Sequence, residues 1–152
     1  VVPLLLAVIL YDLRFMRIPN KLVVLFAVVA LVMAPFQIGV EEILWRFGIA
    51  GIVFLGGLIF YARGMMGAGD VKLLAVLMLL IPVEGLSAFT MLLSLSMLLG
   101  VAVLMSARRF VQDEDTRWRG LQKHSRFPLG VSIGTAGLAF FIVGPEVVRG
   151  LI

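Results

Sequence analysis

The chain has 152 residues, of which 62% are hydrophobic and only 14% are charged, and its mean hydropathy is +1.14. Soluble domains are about 45–50% apolar and about 25% charged, so this composition excludes an ordinary soluble fold and predicts one membrane-embedded, all-α domain over residues 1–152. The absence of cysteine excludes disulfides and thiolate catalysis, and the single histidine excludes a His-rich metal site. The net charge of +4 is explained by the basic loops of a membrane protein and does not indicate nucleic-acid binding.

Six apolar segments separated by polar stretches predict a helix bundle with about six transmembrane helices. They cover residues 1–16, 21–35, 43–61, 71–81, 86–106 and 129–148. About 20 residues cross the apolar core of a bilayer, so the first and fourth segments must tilt or line a cavity enclosed by protein. Val1 already lies in an apolar run, with no charged leader before it and no A-x-A-like site after it, so no removable signal peptide is expected.

Positive charge lies in alternate loops. Eleven of the 13 lysines and arginines lie in or beside the loops that follow segments one, three and five. The positive-inside rule therefore places these loops in the cytoplasm. The longest of them, residues 107–127, is expected to be a solvated basic loop that contacts anionic lipid, with a dock for substrate or partner as the alternative.

Two aspartates stand at positions where an ionisable group is costly. Asp12 follows eleven uncharged residues, and Asp70 precedes eleven residues of which only Lys72 is charged. Both lie at the cytoplasmic ends of their segments, so helix packing can bring them together. Two carboxylates in one site share a proton; the ionised partner activates water and the protonated one donates to a scissile carbonyl. Such an aspartic protease needs neither metal nor cofactor.

Simpler roles for the two aspartates remain open. Asp70 is also expected as the N-cap of segment four, and Asp12 as an interfacial carboxylate paired with Arg14 or Arg17. Lys72 either reaches lipid headgroups or lies near enough to influence the aspartate pair.

Glycines lie next to the second aspartate and along one face of segment three. Gly67 and Gly69 remove Cβ atoms near Asp70, which allows close backbone approach and unusual backbone conformations. Another set is expected to form a small-residue packing face on segment three: Gly48, Gly51, Gly56 and Gly57.

Three stretches carry a family resemblance. "GAGDVKLL" at 67–74 resembles the GxGD signature of the type IV prepilin peptidases, "DLRFMRIPN" at 12–20 resembles the region of their first aspartate, and "FPLGVSIGTAG" at 127–137 is similar to their last motif. The resemblance implies an inner-membrane aspartic endopeptidase with Asp12 and Asp70 as the catalytic pair.

Further residues of these motifs are expected to shape the site. Pro19 and Asn20 end one helix and cap the next, which would set Asp12 relative to the other aspartate. Pro128 and Gly130 begin the last helix and would border the substrate groove.

The resemblance also implies a substrate. The family removes the basic leader of prepilins and pseudopilins at the cytoplasmic membrane face. Larger members carry a methyl-transferring cytoplasmic domain after the first helix, but here that region is only residues 14–21. The chain therefore resembles the short branch that accompanies Flp-type tight-adherence pili. Whether it forms a homo-oligomer stays an open question at this point.

Three other functions remain as alternatives. The chain is also compatible with another GxGD protease, of the preflagellin-peptidase or signal-peptide-peptidase type. A small proton-coupled transporter would use the same two aspartates as a relay. A non-catalytic pilus-assembly subunit would tolerate the loss of either carboxylate.

Overall fold

The protein is an all-helical bundle in the computed structural model, which describes residues 1–37, 39–110, 128–144 and 150. These residues form six α-helices: α1 (Val2–Phe15), α2 (Asn20–Gln37), α3 (Val40–Ala62), α4 (Ala68–Leu80), α5 (Leu86–Phe110) and α6 (Leu129–Val143). A single 3₁₀ turn, Val83–Gly85, lies between α4 and α5. The predicted all-α membrane bundle is confirmed.

Helix ends follow local sequence signals. Met16 adopts a left-handed backbone (φ 52°) and ends α1, and Pro19 precedes the first residue of α2. Gly64 has φ +70°, which glycine adopts without steric cost, and it turns the chain between α3 and α4. Pro82 follows the end of α4, as expected for a residue that cannot continue a helix.

Helix lengths agree in part with the sequence-based expectation. The helical stretches Val40–Ala62 and Val83–Ser106 are long and apolar enough to cross a membrane. Helices α1 and α4 have only 14 and 13 residues, so each is about 20 Å long. Helix α6 ends at Val143, before Gly144 with φ +82°, and residues 145–148 of the expected last segment lie outside the described residues.

Helices α4 and α6 occupy the inside of the bundle. Helix α4 packs against α2, α3 and α6, and α6 packs against α1, α4 and α5. A helix that packs on several sides must be apolar around most of its circumference, and α4 accordingly buries residues along its whole length. The carboxyl end of α1 and the amino ends of α4 and α6 meet at one end of the bundle, called here the aspartate end.

The basic loop falls mostly outside the described residues. Helix α5 continues to Phe110, four residues beyond the end expected from hydropathy. Residues 111–127, with His124, lie outside the description. The single-domain assignment and the cytoplasmic loop therefore stay predictions.

Candidate active site

A cavity of about 480 Å³ lies at the aspartate end of the bundle. Asp12 and Asp70 both line it, although 58 positions separate them in the sequence. The other lining residues come from the end of α1, from the connection between α3 and α4 and from the start of α6: Met16, Gly64, Met65, Met66, Gly67, Pro128 and Leu129. All three motifs thus contribute residues to a single cavity.

Asp12 is held by the first turn of α6. Its side chain is almost fully buried, with 4% exposed, and its Oδ2 accepts a hydrogen bond from the backbone N–H of Val131 at 3.1 Å. The backbone N–H of Gly130 also acts on this carboxylate and favours its charged form. The first N–H groups of a helix have no partner within the helix and attract negative charge. The amino end of α6 therefore offsets part of the cost of burying the Asp12 carboxylate.

The alternative pairing of Asp12 with Arg14 or Arg17 is not formed. Residues two apart on a helix point to different faces, so Asp12 turns inward where Arg14 turns outward. The guanidinium of Arg14 instead lies over the ring of Phe15, 5.2 Å from its centroid. Arg17 is exposed in the connection after α1.

Asp70 is the third residue of α4 rather than its N-cap. The helix begins at Ala68, one turn earlier than the apolar run suggests, so Gly67 takes the N-cap position. The backbone N–H of Gly67 donates to Asp70 Oδ2 at 3.2 Å. The side chain thus closes back on the start of its own helix, as an acidic residue at this position commonly does. The expected N-cap role was wrong in position, although the carboxylate does serve the helix amino end.

The two carboxylates interact across the cavity. The charge of Asp12 acts on Asp70, and each carboxylate accepts backbone N–H groups from the first turn of a helix, Asp12 from α6 and Asp70 from α4. Two helix amino ends thus direct partial positive charge to the same cavity. Two carboxylates that line one cavity resist ionising together. Such a pair can polarise a water molecule and protonate a carbonyl oxygen.

Glycine at three motif positions permits close approach. A Cβ atom at Gly67 would lie 2.7 Å from Asp70 Oδ2, and one at Gly130 would lie 2.7 Å from Asp12 Oδ2. Gly67 has φ −77°, an ordinary value, so it serves space and not an unusual backbone conformation. Gly69 approaches a different partner from the one expected, since its added Cβ would lie 3.1 Å from Ile18 Cβ.

Ile18 joins the three motifs, and sequence reasoning missed it. Its side chain is 8% exposed and lies against both Gly69 and Gly130, where an added Cβ would be 2.9 Å from Ile18 Cδ1. It therefore wedges the α1–α2 connection between the amino ends of α4 and α6. The available signal was a lone apolar residue in the polar stretch "RIPN".

Pro19, Asn20 and Lys72 do not line the cavity. The carbonyl of Pro19 accepts from the backbone N–H of Leu22 at 3.0 Å, so Pro19 immediately precedes α2 and Asn20 is the first residue of the helix. Lys72 Nζ donates to Asn20 Oδ1 at 3.3 Å. This bond links α4 to α2, so Lys72 is directed to Asn20 rather than to lipid headgroups or the aspartates.

Pro128 and Gly130 begin the last helix, and Pro128 lines the cavity. Pro128 is fully buried as the N-cap of α6, and its carbonyl accepts from the N–H of Val131 at 3.3 Å. Over the described part of the chain, no group of three or more His, Cys, Asp or Glu residues is placed to hold a metal ion.

Comparison with known proteins adds a family to this geometry. The family model of the type IV leader peptidase family matches residues 1–105, a stretch that contains both aspartates and the "GAGD" motif. No curated protein and no solved structure matched the chain. Because the match covers more than half of its length, the chain belongs to the type IV leader peptidase family.

Proposed function

We propose that this protein is an aspartic endopeptidase that removes the leader peptide of type IV prepilins. The observation that carries the proposal is that two carboxylates from distant parts of a family member line one cavity. The family is that of type IV leader peptidases, so a prepilin-type precursor is the substrate class.

The chemistry follows from the pair of carboxylates. The ionised member of the Asp12–Asp70 pair removes a proton from a water molecule while that water attacks the scissile carbonyl carbon. The protonated member donates its proton to the carbonyl oxygen, which gives a tetrahedral intermediate. Collapse of the intermediate breaks the C–N bond as the amine nitrogen takes up the proton that the first carboxylate removed from water, and the other carboxylate regains a proton from the hydroxyl group of the intermediate. The backbone donors on both carboxylates hold them in place for these transfers.

Charge distribution supports cleavage at the cytoplasmic face of a bacterial inner membrane. The basic residues Arg14, Arg17 and Lys21 lie around the α1–α2 connection, at the aspartate end. By the positive-inside rule this end faces the cytoplasm and the helices cross the membrane several times. The leader of the substrate would lie on that side, and its apolar stem in the bilayer.

The short connection between α1 and α2 supports the Flp-type branch. It comprises residues 16–19 only, which leaves no room for a methyl-transferring domain at this place. We therefore propose peptidase activity without methylation. A proton relay for transport fits less well, because both aspartates lie at helix ends rather than at the middle of the bundle.

The test is cleavage of a short prepilin, with a basic leader and an apolar stem, co-expressed in a bacterium that lacks its own peptidase. Wild type should shorten the precursor, and Asp12→Asn and Asp70→Asn should each lower the cleavage rate at least about 100-fold at equal membrane abundance. Glu41→Gln makes the same change at an exposed site at the start of α3 and should cleave as wild type does. Cleavage by both Asn variants at the wild-type rate would refute the proposal.

A further inference from the structure

A second cavity, of about 530 Å³, adjoins the aspartate cavity and has an almost wholly apolar lining. It is called here the stem groove. Met65, Met66 and Leu129 line both cavities. The two therefore form one continuous depression with carboxylates at one end and only apolar side chains at the other.

The helix packing gives the stem groove two walls and a floor. Helix α3 packs mainly on α4 and α5 mainly on α6, so α3 and α5 stand on either side of the α4–α6 pair. Gly56 and Leu93 line the walls, and Leu74 and Ile133 line the floor. A groove between two outer helices opens sideways, towards the hydrocarbon region of the bilayer.

Gly56 keeps this groove open. The expected small-residue packing face of α3 is wrong for three of its four members, because an added Cβ meets no atom within 4 Å at Gly48, Gly51 or Gly56. Only Gly57 serves helix packing, since its Cβ would lie 2.6 Å from a methyl carbon of Val71. The missing side chain at Gly56 thus leaves space in the groove without a packing role.

We infer that the stem groove binds the first apolar side chains that follow the scissile bond of the substrate. The inference rests on the proposed function and names the subsite that selects the substrate. A cavity of about 150 Å³ accepts a benzene-sized group, so a groove of about 530 Å³ has room for several apolar side chains. After the cleavage point the precursor continues as an apolar stem in the bilayer. The groove runs from the aspartates to the hydrocarbon region of the bilayer, so it follows the path of that stem.

The first test changes groove volume. Gly56→Leu is compared with Gly51→Leu, which adds the same side chain to open space on the same helix but outside the groove. Two precursors are used, one with large apolar residues in the first three positions after the cut and one with alanine there. Gly56→Leu should lower cleavage of the first precursor at least about tenfold relative to the second, as expected when a pocket rejects extra methylenes. Gly51→Leu should cleave both as wild type does.

The outcomes separate this inference from the proposed function. If wild type cleaves the precursors and Gly56→Leu cleaves both at wild-type rates, the groove holds lipid or a second copy of the chain, and the subsite is refuted while the peptidase stands. If wild type cleaves no prepilin, the proposed function falls and this inference with it.

The second test uses the absence of cysteine from the chain. A single cysteine is placed by Gly56→Cys or by Gly51→Cys, in an Asp70→Asn background that leaves the precursor uncut. The precursor carries one cysteine at the third residue after the cut. After addition of a thiol oxidant, a disulfide should form with the Gly56→Cys variant and not with the Gly51→Cys variant. Equal cross-linking at both positions, or none at Gly56→Cys, would overturn the inference.

Discussion

The carboxylate of Asp12 accepts a hydrogen bond from the backbone N–H of Val131, a residue 119 positions away, at 3.1 Å. Helix α6 approaches this closely because Gly130 has no side chain. The amino end of the last helix thereby positions the first aspartate. The "PLG" of the third motif is thus part of the site, although it supplies no reactive group.

Gly130→Ala should lower cleavage much more than a packing change of similar cost to stability. The added Cβ would lie 2.7 Å from Asp12 Oδ2 and would displace that carboxylate, so we expect cleavage per folded molecule to fall by roughly 100-fold. Gly134→Ala, one turn later, meets the side chain of Ile9 at 2.5 Å and the backbone oxygen of Leu5 at 3.4 Å but no carboxylate, so it serves as the control for α1–α6 packing. Both should lower stability by about 1–3 kcal/mol, measured as thermal unfolding in detergent. Equal loss of cleavage in both variants would show that packing alone matters.

Ile18→Ala should loosen the aspartate end. Removing the wedge between Gly69 and Gly130 leaves a void and should cost about 2–5 kcal/mol of stability, against about 0.5–1.5 kcal/mol for Ile18→Val. Cleavage should fall in the same order, because the α1–α2 connection begins one helical turn after Asp12. Thermal unfolding and precursor cleavage measured on the same preparations check this. An Ile18→Ala variant as stable as wild type would contradict the role of Ile18 in packing the aspartate end.

Lys72→Met should remove one hydrogen bond between α4 and α2 and otherwise leave the protein unchanged. Its ammonium bonds Asn20 at an exposed position, so we expect Lys72→Met and Asn20→Ala each to lower stability by less than about 1 kcal/mol. The double variant should lose no more than the larger single effect, because both changes remove the same bond. Cleavage and unfolding of the three variants give the answer. A tenfold loss of cleavage in Lys72→Met alone would instead tie this lysine to the aspartate pair.

Arg46→Ala should destabilise the opposite end of the bundle and leave the chemistry intact. Arg46 Nη1 donates to the carbonyl of Leu79 near the end of α4 at 3.2 Å, and Nε donates to Glu42 at 3.1 Å. Loss of the first bond leaves a helix-end carbonyl without this donor and should cost about 1–3 kcal/mol. Glu42→Gln keeps Arg46 on Leu79 and should cost less than about 1 kcal/mol. Cleavage per folded molecule should equal the wild-type value in both; a selective loss in Arg46→Ala would link the two ends.

Much of the architecture was predictable because its signals are local. Apolar runs and proline or glycine breaks predicted six helices, and their observed bounds differ mostly by a few residues at the ends. The start of α4 was misplaced because "GAG" carries no apolar signal, yet Ala68 and Gly69 are helical. The cost of an ionisable group beside an apolar run singled out Asp12 and Asp70, and both line one cavity.

Only the tertiary structure decided what surrounds these two residues. That α6 supplies the donors to Asp12, that Ile18 separates Gly69 from Gly130, and that Lys72 bonds Asn20 all depend on contacts between residues far apart in the chain. Periodicity predicts that a helix face is buried but not which helix covers it. The sequence by itself therefore determined the helices and singled out the two aspartates, while packing of α4 and α6 determined the cavity, because its walls come from segments with no local relation to one another.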